Sequence, residues 1–212
     1  MSHQNSKLKE MLKDTNIIPV MVIERLSDAV PMARALVQGG LKTLEVTLRT
    51  ECALEAVRKI IKEVPEAIVG VGSVNDAAQF KAAHEAGAAF AVSPGVTQKL
   101  LDVANEVPLP YLPGIATPSE AMSLRQKGYE VLKLFPAEVV GGQKMLKALS
   151  GPLSDLKFCP TGGISHSLAK DYLSLSNVIC VGGSWMINKA DVEAGDWDKI
   201  TRLSHEAFEM KE

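Results

Sequence analysis

The run "EVLKLFP" (residues 130–136) is apolar through Val131, Leu132, Leu134 and Phe135, with Lys133 in its middle and Pro136 at its end. Its length and bounding residue read as a buried strand, because proline cannot continue a ladder. Seven further runs share this character: "IIPVMVI" (17–23), "LKTLEVTL" (41–48), "AIVGVGS" (67–73), "AAFAVSP" (88–94), "PLPYLPGI" (108–115), "LKFCPTG" (156–162) and "NVICVGG" (177–183). Their starts lie roughly 20–25 residues apart, the period of a repeated strand–helix unit.

Segments with helical spacing fill the gaps. "DAVPMARALVQGG" (28–40) ends in a glycine pair suited to a C-cap, and "TECALEAVRKIIKEV" (50–64) stops before Pro65. "NDAAQFKAAHEAG" (75–87) opens on Asn75 or Asp76 as N-cap, while "TQKLLDVANEV" (97–107) and "TPSEAMSLRQKG" (117–128) open on threonine. Eight such units predict an α/β fold, a closed (β/α)8 TIM barrel. The expected domain is a single one over 1–212 with a short N-terminal helix. A doubly wound open sheet is the alternative, weakened by the lack of GxGxxG after the first strand.

Of the 212 residues, 46% are hydrophobic and 23% charged, with a net charge of −2. This balance gives no electrostatic footprint for nucleic acid or an anionic membrane. No apolar run reaches the roughly 18 residues of a membrane span, and "MSHQNSKLKEMLKDTN" (1–16) lacks a signal-peptide core. A cytoplasmic location is expected. Cys52, Cys159 and Cys180 show no CxxC spacing, and His3, His84, His166 and His205 no metal-ligand spacing. No metal or other cofactor is called for. Cys159 and Cys180 read as buried thiols, and His84 as a surface or groove residue.

Strand side chains alternate with period 2. In the second run Leu44, Val46 and Leu48 should pack under the helices, which turns Glu45 inward. In the sixth, Leu132 and Leu134 face the helices, and Val131, Lys133 and Phe135 face inward. Parity thus sends a lysine and a glutamate into one cavity. A buried ion pair of uncertain net benefit is the bland reading of the two. An amine is nucleophilic only when neutral, and burial favours the neutral form. A neutral lysine adds to a ketone and forms an imine, which serves as an electron sink. A carboxylate beside it can move protons. Arg49, just past the second strand, offers a planar fork for a carboxylate. Together they suggest carbon–carbon bond chemistry next to a 2-oxo acid.

Two glycine-rich turns, "CPTGGIS" (159–165) with Gly162 and Gly163 and "CVGGSW" (180–185) with Gly182 and Gly183, follow the seventh and eighth strands. Barrel enzymes frequently hold phosphate there on backbone N–H groups. Ser73 adds a hydroxyl at the rim, and Pro94 in "SPG" reads as a shape element.

The motifs "LEVTLRTECAL" (44–54), "EVPEAIVGVGS" (63–73), "SPGVT" (93–97), "KLFPAE" (133–138), "CPTGGIS" (159–165) and "GGSWM" (182–186) span nearly the whole chain. Through them the sequence resembles the 2-keto-3-deoxy-6-phosphogluconate (KDPG) aldolases, also known for 4-hydroxy-2-oxoglutarate (KHG) aldolase activity. The resemblance implies a metal-free class I lyase acting on small 2-oxo acid and sugar-phosphate substrates, and a homotrimer. It carries over Lys133 as the imine-forming residue and Glu45 as the proton carrier. Arg49 and Ser73 match pyruvate-carboxylate contacts, the latter where the family commonly has threonine. Thr161, Gly162, Gly163 and Ser184 match the substrate-hydroxyl and phosphate region, and Pro94 and Phe135 the pocket lining. Two rivals share the glycine turns: a phosphate-binding isomerase or epimerase, and a non-catalytic sugar-phosphate sensor.

Overall fold

The alternation of apolar runs and helical segments becomes a curled parallel sheet wrapped by helices in a computed structural model that describes residues 2–211. Met1 and Glu212, the ends of the expected domain, lie outside the described residues. In chain order the elements are α1 (Ser2–Leu12), β1 (Ile17–Met21), α2 (Ala29–Gln38), β2 (Thr43–Thr47), α3 (Ala53–Glu63), β3 (Ile68–Gly72), α4 (Ala77–Glu85) and β4 (Phe90–Val92). They continue with α5 (Gln98–Glu106), β5 (Tyr111–Leu112), β6 (Gly114–Ile115), α6 (Pro118–Gln126), β7 (Val131–Leu134), α7 (Gly142–Leu149), β8 (Lys157–Pro160), α8 (His166–Leu173), β9 (Val181–Gly183), α9 (Lys189–Ala194) and α10 (Trp197–Phe208).

Two all-parallel ladders form, in the orders β5-β4-β3-β2-β1-β9 and β6-β7-β8. Each expected strand is present, but the fifth run is two short pieces. Pro113 interrupts it, lacking the N–H a continuous strand would need. Its carbonyl still accepts the Lys133 N–H at 2.9 Å. At the other side, bridges Phe158↔Val178 and Thr161↔Gly182 join the β8 region to the β9 region.

The helix starts follow their capping chemistry. Asp76 accepts from the Gln79 N–H and Thr97 from the Leu100 N–H. Thr117 and Glu120 form a reciprocal capping box, with Pro118 as the first helical residue. Replacing such a cap by alanine costs about 1 kcal/mol.

Two apolar layers result from the strand alternation. Leu44, Val46, Leu132 and Leu134 lie in the layer beneath the helices. Ile18, Phe90, Val92, Leu112, Val131, Cys159 and Cys180 form a second cluster, which Leu8 and Leu12 of α1 join at i, i+4 spacing. A one-residue register slip would exchange the two sets, so burial on both faces fixes the register. Glycine makes room within the second layer. The ring of Phe90 fills the space a side chain at Gly70 would need.

Candidate active site

Glu45 lies at the centre of β2 and Lys133 in β7, paired in register with Cys159 of β8 and Gly114 of β6. The parity of two separate strands brings the two side chains together. Lys133 Nζ donates to Glu45 Oε1 at 3.2 Å, with side-chain exposures of only 6% and 3%. The Phe135 ring flanks the amine, its centroid 5.4 Å from Nζ. This distance suits a cation–π contact whenever the amine is charged.

The carboxylate owes its position to Gly72. A Cβ there would collide with Glu45 Oε1, so this glycine is part of the site's construction. Sequence reasoning missed it, although the spacing of Gly70 and Gly72 on one face of β3 carries the signal. Cys159, the register partner of Lys133, lies near the pair, and the Cys180 thiol contacts it. Contact with Cys180 is the main cause that holds the Cys159 thiol below its ordinary value, with the Lys133 charge adding to it.

Arg49 and Ser73 follow the ends of β2 and β3. Arg49 Nε donates to Ser73 Oγ at 3.1 Å. Ser73 has a φ of 57°, a left-handed conformation in which a small polar side chain is less crowded than a branched one. The guanidinium is exposed and the serine half-buried, so the pair can meet a solvent-borne carboxylate while anchored at one nitrogen.

The two glycine turns lie side by side. Thr161 is buried and bridges to Gly182, where any Cβ would strike the threonine hydroxyl. Gly162 and Gly163 have φ of 104° and 78°, the left-handed region that favours glycine. The Trp185 ring occupies the space beside Gly183. Ser184 is exposed and borders a groove of about 370 Å³ that includes Val20, Val22, Ile187 and Lys189. Pro94 is exposed as well, with its carbonyl against Gly114. No cluster of three or more His, Cys, Asp or Glu side chains suited to a metal ion occurs among the described residues.

A lysine enclosed with a carboxylate on parallel strands, and an arginine–hydroxyl pair at the rim, are groups with which imine chemistry on a 2-oxo acid can be carried out. Such an arrangement is chemically suited to a class I aldolase.

Comparison with known proteins agrees. The family model for KDPG and KHG aldolases matches residues 8–203, and the chain belongs to this family. It is 51% identical over 209 residues to the KHG/KDPG aldolase of Escherichia coli (strain K12), covering 99% of this chain and 98% of that relative. Its fold is similar to the KDPG aldolase of Legionella pneumophila with pyruvate captured at low pH as a covalent carbinolamine intermediate. There the TM-score is 0.90 and the identity 42%, over 95% of this chain and 96% of that one. The KDPG aldolase of Zymomonas mobilis ZM4 with 3-phosphoglycerate matches with a TM-score of 0.91 and 44% identity, over 96% of each chain.

Proposed function

We propose that this chain cleaves 2-keto-3-deoxy-6-phosphogluconate to pyruvate and glyceraldehyde 3-phosphate, and 4-hydroxy-2-oxoglutarate to pyruvate and glyoxylate, through a Lys133 imine. The observation that carries this reading is the enclosed Lys133–Glu45 pair at 3.2 Å. The Lys133 amine adds to the C2 ketone, and the carbinolamine loses water to give an iminium. Glu45 takes the proton of the C4 hydroxyl. The C3–C4 bond breaks, its electrons pass into the iminium to leave an enamine, and the aldehyde departs. Protonation at C3 and addition of water then release pyruvate and the free amine. Arg49 and Ser73 hold the substrate carboxylate. Thr161, Gly162, Gly163, Gly182, Gly183 and Ser184 take the hydroxyl and phosphate end, with Pro94 and Phe135 lining the pocket.

The route uses neither metal nor cofactor. Pyruvate release coupled to lactate dehydrogenase tests the activity directly, and it should persist after dialysis against a chelator. Loss of activity on chelation, restored by a divalent ion, would overturn the metal-free route.

Arg49→Lys should raise the KM for both 2-oxo acids roughly 5- to 10-fold with little change in kcat, because a planar fork becomes a point charge. Gly162→Ala should impair the phosphorylated substrate far more than 4-hydroxy-2-oxoglutarate, since a Cβ at φ 104° obstructs the backbone approach to phosphate. Equal losses on the two substrates in steady-state assays would place the phosphate elsewhere.

The finer architecture belongs to the same reading. The two ladders form one closed eight-stranded barrel in a single domain, with β5 and β6 counted as one strand broken at Pro113. The bridge Thr161↔Gly182 and the bond from Lys133 N–H to Pro113 support closure. The enzyme works in the cytoplasm as a homotrimer without nucleic acid or membrane partners. No helix among the described residues is long and apolar enough to cross a membrane. The mass of the native protein in solution tests the trimer.

A further inference from the structure

The loop leaving β7 carries Glu138 at an exposed position, and the Tyr172 hydroxyl of α8 donates to its Oε1. Tyr172 is fully buried. Burial, and then the bond to Glu138, push its hydroxyl above the ordinary value, so it remains a donor throughout the working pH range.

The loop is also tied to the turn that follows β8. The Ala137 N–H donates to the Thr161 carbonyl at 2.8 Å, and the Glu138 N–H to the Gly162 carbonyl at 3.2 Å. A Cβ on Gly163 would approach Glu138 Cβ to 2.9 Å, and one on Gly142 would meet Tyr172 Oη at 2.5 Å and Glu138 Oε1 at 2.8 Å. Both glycines have positive φ, 78° and 52°. The chain is thus pared to backbone at the two points where Glu138 and Tyr172 pass. Neither side chain has a step in the carbon–carbon chemistry, yet together they fix the distance between the β7 loop, the Gly162–Gly163 turn and α8.

We infer that Glu138 and Tyr172 are positioning residues for the phosphate end of the substrate: their hydrogen bond clamps the Gly162–Gly163 turn at the separation its backbone N–H groups need. The inference rests on the aldolase reading and extends it to substrate preference. A clamp on this turn acts on phosphorylated substrate and leaves the lysine, glutamate and carboxylate contacts alone. A misplacement of one ångström is enough to matter, given how steeply positioned contacts depend on geometry.

Steady-state kinetics on both substrates test it, together with borohydride trapping of pyruvate. Tyr172→Phe removes only the hydroxyl. Glu138→Ala breaks the same bond from the exposed side without touching the packing of α8. Each should raise the KM for the phosphorylated substrate about tenfold, the scale of a hydrogen bond to a charged group. The KM for 4-hydroxy-2-oxoglutarate and the trapping rate with pyruvate should stay within about twofold. Glu138→Gln keeps an acceptor oxygen and should behave as wild type. Equal changes on both substrates, or none, with trapping intact, would overturn the clamp and leave the aldolase reading standing. So would Glu138→Gln losing as much as Glu138→Ala. Failure of the wild-type enzyme to trap pyruvate would overturn the underlying reading, and the clamp with it.

Discussion

Lys133→Arg should abolish cleavage of both substrates, with a loss on the order of 10⁴- to 10⁶-fold, the scale on which removing a covalent nucleophile acts. The substitution keeps a positive charge beside Glu45, so it avoids the cost of about 3–5 kcal/mol that attends stripping one partner from a buried pair. A guanidinium stays protonated and cannot add to a ketone. The variant therefore separates chemistry from stability. Thermal melting should shift little, and coupled pyruvate release should vanish. Retention of activity within tenfold of wild type in a folded Lys133→Arg protein would mean that the lysine orients substrate by charge alone.

Glu45→Gln should slow cleavage by roughly 10²- to 10⁴-fold, the usual worth of a positioned acid–base group. Glutamine fits the space that Gly72 leaves, and its carbonyl can still accept from Lys133 Nζ. It cannot take the C4 hydroxyl proton. Imine formation also involves proton transfers, so trapping with pyruvate should slow but remain detectable on Lys133 after long incubation. Solvent exchange of the pyruvate methyl protons, followed by NMR, should fall along with cleavage, because both pass through the enamine. Near-normal exchange in the folded variant would assign the proton transfer to another group.

Much of this site was legible from strand parity. Period-2 alternation, with Leu44 and Val46 of β2 and Leu132 and Leu134 of β7 all turned toward the helices, fixes the inward direction of both Glu45 and Lys133. The caps at Thr97 and Thr117 are equally readable, because capping is local, while the α4 cap is narrowed only to Asn75 or Asp76. What escaped depends on contacts between distant residues. The apolar run around Pro113 reads as one strand, and only the pairing of its two sides with different neighbours reveals the break. The space at Gly72 has meaning only once Glu45 of the adjacent strand is known to fill it. The Tyr172–Glu138 bond spans 34 residues and joins a helix to a loop, so no periodicity announces it. Parity turns Val131 inward, but the apolar layer it joins there includes Leu8 and Leu12, whose place depends on where α1 docks.

The most direct measurement is borohydride reduction of the enzyme in the presence of pyruvate, followed by mass spectrometry of its peptides. An imine between the ketone and the amine is reduced to a stable secondary amine. The account predicts one pyruvate-derived adduct per chain, on the peptide containing Lys133, and none when pyruvate or borohydride is left out. An adduct on another lysine, or no adduct under conditions of full activity, would contradict it.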